Sequence, residues 1–209
     1  MHYMQHAWEQ LLQMFGIEHV KAQATFTALT DAYNSPGRAY HTLEHIQAVL
    51  KWIDILRSHA TDLPSLQLAA WFHDCIYDPR ATDNEEQSAI YAQSVLSGLA
   101  LPSQTVQAVS QMILSTKTHA TEAINQDCQI LLDADLAIFG AEPQHYDTYV
   151  QAIRQEYSWV PDTAYRTGRA QILQTFLQRA RIYGTEPMYM ALEEQARENI
   201  GRELASLTE

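Results

Sequence analysis

Three places in the sequence put a metal-ligating side chain on an apolar helical face: His45, the adjacent pair His73-Asp74, and Asp135. At about 100° per residue, the stretch from Thr42 to Leu56 carries Leu43, Ile46, Val49, Leu50, Ile53 and Leu56 as an apolar stripe. His45 falls inside the edge of that stripe, between Trp52 and Val49, while Glu44 points well away. A lone inward histidine is ordinarily a hydrogen-bonded core residue, so His45 decides nothing alone. His73-Asp74 ends Leu68-Ala69-Ala70-Trp71-Phe72, a segment apolar on all sides. A carboxylate buried there needs a cation, strong donors or a proton, although a helix-end aspartate paired with an arginine or capping a loop would also satisfy it. Asp135 projects between Leu131 and Phe139, flanked by Leu132 and Ile138, and Asp133 is expected on a less apolar side. A helix this hydrophobic has little reason to carry an inward carboxylate unless something positive meets it.

Together the three sites offer two imidazoles and two carboxylates. That mixed nitrogen and oxygen set suits a divalent ion: Mn, Fe, Co, Ni, Zn or, less well, Mg. Neighbouring His and Asp reach one ion only if it lies between their directions, so the other two ligands must come from separate helices, as in carboxylate-bridged bundles.

The elements that would position these groups are helical almost throughout. Trp8, Leu11, Leu12 and Phe15 recur at helical spacing and stop at Gly16; a second segment runs from about Val20 to Tyr33 and ends at Asn34-Ser35-Pro36-Gly37. Pro64 opens a short helix that Asp78-Pro79 closes, and Thr82 or Asp83 can cap a helix with Glu85 and Glu86 in its first turn. Pro102, Pro143, Pro161 and Pro187 each stand at the start of a further helix, and the run from Ile130 to Phe139 ends at Gly140. No stretch alternates as a strand would, and no repeat or linker interrupts the pattern. The expectation is a single all-α domain over 1–209, a helical bundle with the metal-site core in about 38–140 and C-terminal helices, about 142–207, packing on it.

The 209 residues, 46% hydrophobic, suffice for one sizeable core. A net charge of −12 repels phosphate backbones, which disfavours generic nucleic-acid or anionic-membrane binding. An anionic substrate needs a local reversal of that field, which a bound ion provides. Cys75 and Cys128 form neither a disulfide framework nor a zinc CxxC pair, the first residues are no signal peptide, and no run spans a bilayer. A cytoplasmic protein is expected.

The order His45, His73-Asp74, Asp135 resembles the H…HD…D signature of the HD superfamily of metal-dependent phosphohydrolases. The segments Tyr40-His41-Thr42-Leu43-Glu44-His45-Ile46, Trp71-Phe72-His73-Asp74-Cys75-Ile76-Tyr77-Asp78, Asn84-Glu85-Glu86-Gln87-Ser88-Ala89 and Leu132-Asp133-Ala134-Asp135-Leu136 resemble a branch of small predicted metal-dependent HD proteins. Ile153-Arg154-Gln155-Glu156-Tyr157 and Ala196-Arg197-Glu198-Asn199-Ile200 extend the likeness over nearly the whole chain. The resemblance implies an all-α fold of HD type, His45, His73, Asp74 and Asp135 as ligands, and hydrolysis of a small phosphate ester, often a nucleotide. A metal-activated water would attack in line while positive charge meets the phosphoryl oxygens.

Around that set, His119 is a candidate for a second ion, a phosphate contact or a general acid, or else an exposed loop histidine. Glu85 or Glu86 could orient water, and macrodipole stabilisation explains them nearly as well. Asp74, Glu85 and His119 are the catalytic candidates. Lys117, Arg154 and Arg169 are those for binding phosphate, against the alternative of surface residues or structural ion pairs. His41 lies one turn before His45 and fits an orienting or packing role. Two rivals stand: an HD scaffold that binds a nucleotide or partner without hydrolysis, and an H-x-x-E-H zinc peptidase spelled by His41-Thr42-Leu43-Glu44-His45.

Overall fold

Few glycines, prolines at helix starts and a dominant 3.6-residue period favour helices joined by short turns. The computed structural model describes residues 2–119 and 125–208. Among these residues it is all-helical, with ten α-helices and no strand.

Helices α1 (His2–Gln13) and α2 (His19–Tyr33) turn at Gly16, whose φ of +72° suits a residue without a Cβ. The Trp8 indole N–H donates to the Ala22 carbonyl at 2.9 Å and holds the pair together. Helix α3 (Leu43–Ile55) begins at Thr42, whose hydroxyl accepts from the Glu44 amide. Helix α4 (Leu63–Phe72) is capped by Asp62, which accepts from the Ser65 amide at 3.1 Å, with Pro64 in its first turn. Helices α5 (Asn84–Gly98) and α6 (Ser103–Thr116) pack on each other.

Helix α7 (Gln126–Asp135) starts at the Asn125 cap and tightens after Asp135 into a 3-10 turn, Leu136–Gly140. The single run expected to Phe139 is therefore two pieces, and Asp135 ends the first. The turn brings Gly140 against the last helix so closely that a Cβ there would lie 2.5 Å from the Leu192 Cβ. Helices α8 (Pro143–Glu156), α9 (Asp162–Leu177) and α10 (Glu186–Thr208) follow, and α8 and α10 pack on that turn.

Apolar side chains of every helix join one buried cluster. Its centre is α4, which touches α3, α5, α6 and α7 and buries Leu66, Leu68, Ala69, Ala70, Trp71 and Phe72. Truncating such a residue costs about 2–5 kcal/mol. Polar anchors seat α10: Glu193 accepts from the Ile182 and Tyr183 amides, and Asn199 donates to the Phe139 and Ala141 carbonyls. No helix of the described residues is long and apolar enough to cross a membrane.

Candidate metal centre

Helices α3, α4 and α7 touch one another pairwise and converge at one point. His73 is the C-terminal cap of α4, Asp135 the last residue of α7, and His45 lies in the first turn of α3. At the opposite end, Asp127 in the first turn of α7 accepts from the Thr61 and Asp62 amides at 2.7 and 2.9 Å. That clamp fixes the starts of α4 and α7, two helices of ten residues each, so that their C-terminal ends arrive together. Both present the negative end of the helix dipole to the site, an arrangement favourable to a cation.

The four side chains expected as ligands do meet. His45 Nε2 lies 3.2 Å from His73 Nε2, 3.1 Å from Asp135 Oδ1 and 3.5 Å from Asp74 Oδ2; His73 Nε2 lies 3.2 Å from Asp74 Oδ2 and 3.5 Å from Asp135 Oδ1. These separations of 3.1–3.5 Å are close to the roughly 3.3–3.6 Å between donors set about 2.0–2.2 Å from one tetrahedral ion, and one ligand atom from each residue falls within 4.8 Å of all the others. His73 Nδ1 donates to the Ala70 carbonyl at 2.9 Å, leaving the Nε2 lone pair for a metal. The group can thus hold a metal ion.

Burial opposes charge on His73 and His45, but Asp74 and Asp135 outweigh it and raise both imidazoles above their ordinary pKa. Burial likewise opposes charge on Asp74 and Asp135. His73 and His45 nevertheless hold Asp74 well below the usual carboxylate range, and His119 with His45 does the same for Asp135. Two carboxylates that stay ionised beside two imidazoles form a site that a divalent cation neutralises in place of protons.

A shell of other residues holds the loop before α3. The Glu156 carboxylate accepts from the Ala39, Tyr40 and His41 amides at 2.7–3.0 Å, stands 2.6 Å from His41 Nδ1 and accepts from the Tyr77 hydroxyl at 2.8 Å. Despite burial, the bond with His41 pulls its pKa down to about 2. Arg38 donates to the His41, Asp74 and Cys75 carbonyls, tying the α3 loop to the end of α4. Spacing alone does not single out Arg38. Glu156, in contrast, continues the inward stripe Tyr146, Tyr149, Ile153 of α8, so the signal that exposed Asp135 was present there too.

Two cavities flank the cluster. One, about 330 Å³, is lined by Asp74 and Asp135 with His41, Tyr77, Asn84, Glu85, Thr116, Lys117, His119 and Tyr157. The other, about 340 Å³, is lined by His45 and Asp135 together with Tyr40, Trp52, Tyr149 and several alanines. In the first, His119 Nε2 stands 2.7 Å from Asp135 Oδ2, and His119 adopts a left-handed backbone, φ 44°, uncommon outside glycine. Lys117 pairs with Glu86 and donates to the Thr82 carbonyl.

Other expectations are corrected. Arg169 is buried against Glu203 and the Tyr149 hydroxyl, and Arg154 donates to the Tyr157 carbonyl and lies over the Tyr165 ring; neither lines the cavities beside the cluster. Asp133 is wholly buried rather than on a polar side, because the Gly184 and Thr185 amides, the Thr185 hydroxyl and Gln129 all donate to it. His41 precedes the Thr42 cap, so it is not one helical turn from His45; it stacks on Tyr77 and binds Glu156. Glu44 is exposed. The H-x-x-E-H pattern therefore does not sit on one helix face. Asp78 fits the turn expected at Asp78-Pro79, accepting from the Arg80 amide.

Scans of protein-family models, curated proteins and solved structures each gave no match to this chain.

Proposed function

We propose that this protein is a metal-dependent phosphohydrolase with an HD-type domain, cleaving a small phosphate ester such as a nucleotide. The observation that carries the reading is the convergence of His45, His73, Asp74 and Asp135 within 4.8 Å at the wall of a cavity that also contains His119, Lys117 and Glu85. Their order along the chain, His, His-Asp, Asp, supports it as well.

When bound, the divalent ion supplies a nucleophile from water near neutral pH and polarises a phosphoryl oxygen. The remaining tasks fall to the chain. Lys117 brings a cation to the cavity wall for the phosphoryl oxygens, in a protein whose net charge would otherwise repel them. His119, whose Nε2 stands 2.7 Å from Asp135 Oδ2, is placed to pass a proton to the leaving oxygen as the P–O bond breaks. Glu85, on the same wall, orients the attacking water. Asp74 and Asp135 keep their charge because the imidazoles face them.

The test strips the protein with a chelator, reloads it singly with Mn, Fe, Co, Ni, Zn or Mg, and screens phosphomonoesters and phosphodiesters, nucleotides included. Turnover with at least one metal is expected, falling by more than about a hundredfold in Asp74→Ala. Metal-loaded protein that turns over none of the panel would make it a binding module instead. Loss of activity in Glu44→Ala with none in Asp74→Ala would mean a peptidase.

A further inference from the structure

A third cavity, of about 340 Å³, is also lined by His119. Its wall includes Leu132, Leu136 and Ile182 and the polar side chains of His119, Asp133, Arg179 and Arg181. His119 also lines the cavity beside the metal cluster, so one imidazole borders both.

Arg179 differs from the other arginines here. Eight of the ten donate side-chain hydrogen bonds within the described residues: Arg38, Arg57, Arg154, Arg166, Arg169, Arg181, Arg197 and Arg202. Arg80 donates none and is exposed, against the Trp159 ring. Arg179 donates none among these residues either, yet is partly buried, its guanidinium carbon lying over the Phe176 ring, 4.4 Å from the ring centre. Burial lowers its pKa, the mark of a desolvated cation. Among the described residues, two acids of this region are already engaged: Asp133, on the same wall, accepts from Gln129, Gly184 and Thr185, and Glu186 pairs with Arg181 at 2.8 Å. Phe176 in turn packs on His119, ring centres 6.4 Å apart, which places Arg179 within two side chains of Asp135.

We propose that this cavity is a second anion subsite, in which Arg179 binds a phosphate of the same molecule whose scissile phosphate faces the metal cluster. The substrate class is then a compound with two or more phosphates. A planar guanidinium whose N–H groups make no hydrogen bond among the described residues can match phosphate oxygens two at a time, and its contact with the Phe176 ring helps to hold it in place. The substrate assignment rests on the phosphohydrolase reading above; the anion site itself does not.

Calorimetric titration of metal-loaded protein with inorganic orthophosphate and tripolyphosphate tests it, using wild type, Arg179→Gln, Arg179→Lys and Asp74→Ala. Tripolyphosphate should bind wild type more tightly than orthophosphate. Arg179→Gln should weaken tripolyphosphate by roughly ten- to a hundredfold and leave metal content unchanged, with Arg179→Lys between the two. Tripolyphosphate affinity should survive in Asp74→Ala and fall when Arg179→Gln is added to it, which separates this site from the metal. Equal binding of tripolyphosphate to wild type and Arg179→Gln, with unchanged melting temperatures, would overturn the proposal even if the enzyme hydrolyses phosphoesters. Arg179-dependent binding without any hydrolysis would uphold the subsite and overturn the phosphohydrolase reading alone.

Discussion

At the scale of single residues, the centre is a set of charges that would be costly apart. His45 and His73 are buried, and their imidazoles titrate above the ordinary value because Asp74 and Asp135 outweigh the cost of burial. Without metal, those imidazoles stabilise the fold fully below the unfolded value of about 6.5 and lose that contribution as pH rises through their folded values. The depressed aspartates contribute above about 3.9 and lose it as pH falls. Metal-free protein should therefore be most stable between about pH 4 and 6.5, while metal, which displaces the imidazole protons, should bind more tightly as pH rises. Denaturant titrations at pH 5 and 8, with and without chelator, check this: metal-free stability that is flat or rising over that range contradicts it. Glu156 gives a second residue-level expectation. It satisfies three amides, His41 and Tyr77, so Glu156→Gln should cost about 2–4 kcal/mol and weaken metal binding through the loop ahead of His45, read by denaturation and metal titration.

At the scale of elements, the site depends on where helices end. The Asp127 clamp and the equal lengths of α4 and α7 bring His73, Asp74 and Asp135 to one level, although Asp127 itself is remote from the chemistry. Asp127→Ala should lower stability by about 1–3 kcal/mol and also weaken metal affinity, whereas Asp62→Ala, which loses only a cap of α4, should cost about 1 kcal/mol. Equal metal affinity in Asp127→Ala and wild type would show that packing alone aligns the helices. Much of this was legible in the chain: prolines marked the starts of α6, α8, α9 and α10, and inward polar residues marked His45, His73-Asp74 and Asp135. What was not legible has physical causes. The 3-10 turn after Asp135 follows from the fit of Gly140 against Leu192, a long-range contact no local pattern contains. Asp133 is buried because the segment from Gly184 to Thr185 returns to donate to it. Arg154 and Arg169 could be seen as cations but not as paired ones, since Glu203 lies 34 residues from Arg169.

At the scale of the whole molecule, the proposed chemistry works against the surface. A chain of net charge −12 repels a phosphorylated substrate until local cations take over. Raising ionic strength from about 0.01 M to about 0.1 M shortens the screening length from about 30 Å to about 10 Å, so kcat/KM for an anionic ester should rise over that range. A fall would mean that Lys117 and the metal already dominate the approach field. Metal should also raise the melting temperature in a concentration-dependent way, because it binds the assembled centre and not the scattered ligands of the unfolded chain. The most direct measurement of the central claim is the metal content of purified wild type beside Asp135→Ala, both dialysed after exposure to the same mixture of divalent ions, with circular dichroism confirming that both are folded. Wild type should retain about one equivalent of a divalent metal and Asp135→Ala far less. Equal metal content in the two folded proteins would contradict the assignment of His45, His73, Asp74 and Asp135 as one metal centre.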